Sequence, residues 1–190
     1  FIDGQKVKIS NPIQAKKHRI GFVTEYRNSE GLVVAFSIKD NIMLTNLDKA
    51  SKMGVINSKK ESTFVNNLMK KLGVRSSGAM QTANSLSGVN QQKVVIAKWL
   101  GDAPEILILD EPNRGVDIGA KKEIYQIIND LAEQGVAILM ISSELPEVIG
   151  MADRVLVMHE GKITGEVSKE EMTQEKIMHY ATGGDKVVQI

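Results

Sequence analysis

Hydrophobic positions follow two spacings along the chain. Continuous aliphatic runs at Ile106–Leu109 (ILIL) and 136–141 (VAILMI) predict strands buried on both faces, and a shorter run at 20–24 predicts another. Helical spacing appears between them. Phe64, Val65, Leu68, Met69 and Leu72 share one face of a helix expected over 61–72, which Gly73 ends. Val95, Ile96, Trp99 and Leu100 gather on one side of a second helix, from about Val89 to Leu100. Ile124, Ile127, Ile128 and Leu131 stand at i, i+3, i+4 and i+7 of a third, expected over 121–133 and closed by Gly135.

Polar punctuation supplies the rest. Asp3-Gly4 and Glu160-Gly161 are hairpin turns, the first in FIDGQKVKI and the second in RVLVMHEGKITGEV. Ser10 or Asn11 can cap a short helix with Pro12 at its first position, running to about His18. Residues 25–44 read as a long connector containing Gly31, and residues 75–87 are polar. Ser142 or Ser143 precedes a short helix with Pro146 in its first turn. A last helix is expected from Ser168, with Glu171 at capping-box spacing. Strand, helix and strand in that order imply an α/β fold, a parallel sheet flanked by helices. A helical region is inserted at about 40–100.

Composition narrows the function classes. The net charge of +1 gives no basic stripe for nucleic acid. There is no cysteine, hence no disulfide framework or thiolate chemistry. No apolar run reaches the roughly 18–20 residues of a membrane span, so any membrane association is expected to go through partners. His18, His159 and His179 stand at no metal-ligand spacing. Lys93 and Lys98 are expected on a solvated helix face. The nine methionines and Trp99 are expected to fill the core.

Two stretches carry candidate chemistry. In ILILDEPNRGVD, Asp110 and Glu111 end a strand, and ligands of such sheets sit beyond the carboxyl ends of the strands. A carboxylate pair there suits Mg²⁺ with bound phosphates plus a base that orients water; it also suits a strand that simply ends in acids. In NSLSGVNQQKVVIAKWL, Ser87 and Gly88 directly precede a helix. A helix N-terminus presents free N–H groups and the positive end of its dipole to anions. An ordinary serine N-cap explains the same residues.

Together these motifs resemble a known family. LSGVNQQKV is similar to the signature motif of ABC ATPases, LSGGQ, in the LSGGNQQKV form of sugar importers. LILDEP resembles the Walker B strand with its catalytic glutamate, and NRGVD (Asn113 to Asp117) resembles the D-loop. GFVTEYRNSEGL and ISSELPEVIGMADRVLVM extend the resemblance over the whole chain. The chain is identified as a member of the ribose/galactose/xylose-type importer ATPases, most similar to their second nucleotide-binding domain.

The resemblance implies a P-loop NTPase-like fold that uses ATP and Mg²⁺. The first strands and the P-loop are expected ahead of Phe1, because no G-x-x-x-x-G-K-[ST] loop occurs in the chain and Gly183-Gly184 lacks its context. By the same resemblance Asp110 binds the metal and Glu111 is catalytic. Glu25 stands at the Q-loop position, which contacts Mg²⁺ and nucleotide. Ser143 stands at the position of the switch histidine; a cap before Pro146 is the other reading. Ser87, Gly88, Val89, Asn90 and Asp117 face nucleotide. Val89 replaces the signature's second glycine, and its branched side chain restricts φ and crowds the phosphate.

Implied partners are a first nucleotide-binding domain of the same polypeptide, membrane permease subunits and, indirectly, a sugar-binding protein, with no nucleic acid. The implied location is the cytoplasmic face of a bacterial membrane. Leu32, Val33, Val34, Phe36 and Ile38 are the candidate surface for a permease coupling helix, if exposed. A soluble ABC ATPase of translation or DNA repair is the alternative. Such a protein would carry a basic surface or long charged helical insertions.

Overall fold

The computed structural model describes residues 1–184. These form two compact units, Phe1–Ile141 and the residues from Ser142 on.

The first unit is built on a three-stranded parallel sheet. Strands β1 (Ile20–Val23), β4 (Ile106–Asp110) and β5 (Ala137–Ile141) lie in the order β1-β4-β5, with Val23 opposite Leu109 and Asp110 opposite Ile141. Helix α1 (Pro12–Lys17) precedes β1; Asn11 caps it by accepting from the Gln14 N–H. Helix α5 (Gly88–Leu100) leads to β4, and α6 (Ile118–Glu133) links β4 to β5. Leu107, Leu109, Val94, Val95, Ile96 and Ile124 are fully buried where these helices meet the sheet. Gly21 faces that side, where a Cβ would lie 2.9 Å from Leu107 and 3.2 Å from Trp99.

The opposite face departs from the expectation of doubly buried strands. Along β5, Leu139 is 53% and Ile141 47% exposed, and Phe22 of β1 is 40% exposed. Phe22, Ile108 and Leu139 share one cross-strand row. A strand's side chains alternate between faces, and here only one face lies under α5 and α6.

The connector after β1 is more ordered than its composition suggests. A π-helical turn spans Arg27–Gly31, and helix α2 covers Ile38–Met43. Ser37 caps α2 by accepting from the Asp40 N–H, and Ile38, Ile42 and Met43 pack inward. Leu32 and Ile38 are therefore core residues; of the five candidate coupling residues, Val33 and Phe36 are exposed. Helix α3 (Leu47–Ala50) leads into a short hairpin, β2 (Ser51–Lys52) and β3 (Val55–Ile56), around Met53-Gly54. Helix α4 (Ser58–Lys71) starts three residues earlier than expected, because Asn57 caps it by accepting from the Lys60 N–H.

Helix α5 is buried nearly all round, which overturns the expected solvated face. Lys93 donates to the Gly73 carbonyl at 2.9 Å and to Glu123 at 2.6 Å. Lys98 donates to the Gly31 carbonyl, and burial pushes its ammonium below the usual lysine range. Both stems lie along apolar surface while their heads meet oxygens. Apolar spacing alone does not reveal such pairing.

The N-terminal hairpin contracts to one antiparallel bridge, Ile2 to Gln5, around Asp3 and Gly4, both with positive φ. In the second unit, helix α7 (Leu145–Met151) is followed by the hairpin β6 (Arg154–His159) and β7 (Lys162–Ser168), turning at Glu160-Gly161 as expected. The last helix, α8, spans Gln174–Ala181 rather than starting at Ser168. Ser168 is committed to the β-ladder opposite Arg154, and Thr173 caps α8 by accepting from the Lys176 N–H. Val157, Val167 and Ile177 are the buried core of this unit.

Candidate nucleotide site

The parallel sheet brings two loops to the carboxyl ends of β1 and β4. Asp110 closes β4 and is half-buried. Glu111 takes a left-handed turn at φ 44°, and its N–H donates to the Ile141 carbonyl at 2.9 Å. A positive φ is costly for a residue with a Cβ and is kept where surrounding structure enforces it. The turn fixes where the Glu111 side chain leaves the sheet. Thr24 stands one residue past Val23, the partner of Leu109, and its buried hydroxyl has no hydrogen-bond partner.

Helix α5 opens at Gly88. Ser87 is its N-cap by position, but its side chain makes no capping hydrogen bond. Its Oγ instead accepts from Asn90 Nδ2 at 2.8 Å, while Asn90 Oδ1 accepts from the Arg75 N–H at 2.8 Å. The first-turn amides of α5 thus keep their positive end uncapped by side chains. Ser87 is exposed, Gly88 and Val89 are half-buried, and the Asn90 side chain is buried in its own unit.

The loop after β4 runs from Asn113 to Asp117. Asn113 is 2% exposed, and neither its amide nitrogen nor its oxygen has a partner. Asp117 is the N-cap of α6 without a side-chain cap bond. Glu25 forms an ion pair with Arg114 of this loop, so its carboxylate is engaged within the protein. Arg114 also stacks over the Tyr26 ring, 4.7 Å from its centroid. Arg27 donates to Gln91 at 3.2 Å, to the Arg114 carbonyl and to the Gly115 carbonyl at 2.9 Å. Burial lowers its guanidinium below the usual arginine range.

Ser87, Gly88, Glu25, Asp110, Glu111 and the Asn113–Asp117 loop therefore belong to one compact unit. Ser143 belongs to the other, exposed on the turn ahead of α7; there Ser142 Oγ accepts from the Glu144 N–H at 3.1 Å and donates to Glu147 at 2.9 Å. Sequence reasoning missed Arg27 and Arg114 as organising residues. Arg27 lies in a polar stretch whose lack of periodicity conceals a half-buried guanidinium.

Among the described residues no three His, Cys, Asp or Glu side chains form a metal cage. Mg²⁺ is commonly held by one or two carboxylates together with substrate phosphates. Asp110 fits that donor set, whereas Glu25 is held by Arg114 in this state.

An open parallel sheet with acids beyond β4 and an uncapped helix opening at a serine-glycine turn is an arrangement suited to metal-bound phosphates. The chain belongs to the ABC transporter family, whose profile matches residues 1–114. It is 61% identical over 188 residues to the ribose import ATP-binding protein RbsA of Halalkalibacterium halodurans, covering 99% of this chain and 38% of that protein. It is 59% identical over 185 residues to the protein of the same name from Bacillus cereus, covering 97% of this chain and 37% of that protein. The chain thus spans little more than a third of the length of these relatives. A dimeric post-hydrolysis structure of the ATP-binding cassette MJ0796, bound to ADP and Pi, shares the fold. Its TM-score is 0.72 at 22% identity, over 89% of this chain and 72% of that one.

Proposed function

We propose that the chain is part of the second nucleotide-binding domain of a bacterial ABC importer that couples ATP hydrolysis to uptake of a monosaccharide, with ribose as the first candidate. The observation that carries this reading is the placing of Asp110 and Glu111 beyond β4 in the same unit as the uncapped opening of α5 at Ser87-Gly88. The names of the relatives supply the sugar, and the ADP and Pi of the structural neighbour support the nucleotide. The alternative of a soluble ABC ATPase of translation or DNA repair is not favoured by relatives named for ribose import.

In this mechanism Asp110 would hold Mg²⁺, which when bound would offset charge building on the nucleotide phosphates. Glu111 accepts the proton of the attacking water or orients it. Ser87 and the first amides of α5, with Gly88, Val89 and Asn90 in that turn, face the γ-phosphate of an ATP cradled by a first nucleotide-binding domain. Asp117 stands beside that interface, Ser143 occupies the sequence position of the family's switch histidine, and Glu25 would be a second carboxylate for the metal. Helices α2 to α5 act as the signature subdomain.

Permease subunits are the direct membrane partners, with Val33 and Phe36 exposed on the side offered to them, and a sugar-binding protein acts through those subunits. The protein then works peripherally at the cytoplasmic face. No helix among the described residues is long and apolar enough to cross a membrane.

The test is ATP-driven uptake of labelled ribose by the full-length protein with its membrane subunits in vesicles. Uptake that is absent with ATP and Mg²⁺ present, for ribose and for galactose, contradicts the reading. The same vesicles test Val89. Val89→Gly relaxes the first turn of α5 and is expected to raise turnover by about tenfold or less, because Val89 already keeps its N–H and loss of a whole donor costs roughly 10²- to 10³-fold. Hydrolysis and uptake should rise together while ATP affinity stays put. An unchanged rate would mean that Val89 does not limit this half-site.

A further inference from the structure

We propose that Arg27 is a positioning residue that locks the turn opening α5 to the loop after β4, so that both meet the nucleotide as one body. The proposal rests on the ATPase reading above and goes beyond it in naming what couples the two loops.

The guanidinium makes three directed contacts to two separate segments. Nε donates to Gln91 Oε1 on α5 at 3.2 Å, Nη1 to the Arg114 carbonyl, and Nη2 to the Gly115 carbonyl at 2.9 Å. Only a planar fork of donors reaches both successive carbonyls and the glutamine at once; an ammonium is a single point. The seat is shaped for it. At Gly88, a Cβ would stand 2.8 Å from Nη2 and 2.9 Å from the Gly115 carbonyl oxygen. At Gly115, held at φ +65°, a Cβ would stand 3.2 Å from Nη1. Both glycines thus make room for Arg27, a requirement separate from any close approach of phosphate to Gly88.

The loop carrying Arg27 has a second attachment. Glu25 pairs with Arg114, and Tyr26 lies under the same Arg114 side chain. Arg114 is thus held by its side chain to Glu25 and Tyr26 and by its backbone carbonyl to Arg27. Misplacing catalytic groups by about 1 Å through a remote change can cost roughly 10²-fold in rate. The signature turn and the Asn113–Asp117 loop depend on Arg27 for that registration.

The experiment uses the full-length ATPase with its membrane subunits, as wild type, Arg27→Gln and Arg27→Lys. Arg27→Gln should lower kcat about 10- to 100-fold while KM for ATP stays within about threefold. Amide hydrogen exchange at 87–91 and 114–117 should quicken by about tenfold in Arg27→Gln. Arg27→Lys should recover only part of kcat, because one ammonium cannot bridge both carbonyls. A kcat within about twofold of wild type, unchanged exchange in either segment, or complete rescue by lysine overturns the proposal. A wild type that does not hydrolyse ATP overturns the ATPase reading instead, and the exchange rates then still decide whether the clamp exists.

Discussion

In the full-length, membrane-assembled ATPase, Glu111→Gln lowers kcat for ATP by about 10²- to 10⁴-fold, the range expected for loss of a positioned general base. ATP binding survives. The substitution keeps size and shape but removes the group that accepts or orients the proton of water. The backbone has its own anchor: the Glu111 N–H donates to the Ile141 carbonyl, and the residue holds φ 44° between β4 and the following turn. The variant should therefore accumulate with ATP bound and unhydrolysed, its KM changed little. Steady-state hydrolysis alongside equilibrium binding of a fluorescent ATP analogue checks this. Turnover within a few-fold of wild type would remove Glu111 from the chemistry.

The 190-residue chain by itself is expected to bind MgATP no more tightly than roughly millimolar, about −4 kcal/mol, and to give no measurable turnover. Backbone amides of a glycine-rich loop and its lysine supply most phosphate contacts in nucleotide sites of this class. No such loop occurs among the described residues. The opening of α5 offers one positive helix end. The half-exposed row of Phe22, Ile108 and Leu139 adds an apolar sheet face that favours self-association of the chain on its own. Titration calorimetry decides the matter: micromolar, Mg²⁺-dependent binding would contradict the expectation.

Much of this architecture was legible because it depends on short-range rules. The four-residue stripe Ile124, Ile127, Ile128 and Leu131 faces inward along α6, and the turns at Asp3-Gly4 and Glu160-Gly161 fall where their glycines, free to take positive φ, allow them. Helix α2 was hidden because Ile38, Ile42 and Met43 give only one and a half turns of pattern, inside a polar stretch. Burial along β4 and β5 was overestimated, since an aliphatic run states what a strand can bury and not what covers it. The motifs singled out Ser87, Gly88, Asp110 and Glu111 as candidates. They did not reveal the uncapped state of Ser87, the engagement of Glu25 by Arg114, or the bridge from Arg27. Each of these joins residues more than sixty positions apart or turns on a side-chain rotamer. The charged side chains Lys93 and Lys98 misled for the same reason: their partners, Glu123 and the Gly31 carbonyl, are distant in sequence.

The central claim is that the turn opening α5 touches the γ-phosphate of the working nucleotide. Orthovanadate trapped with MgADP occupies the γ-phosphate position, and ultraviolet light then cuts the backbone beside it. Applied to the full-length ATPase with its membrane subunits, irradiation should cleave the chain at Ser87. Efficient trapping with cleavage elsewhere, and residues 85–90 intact, would contradict the account.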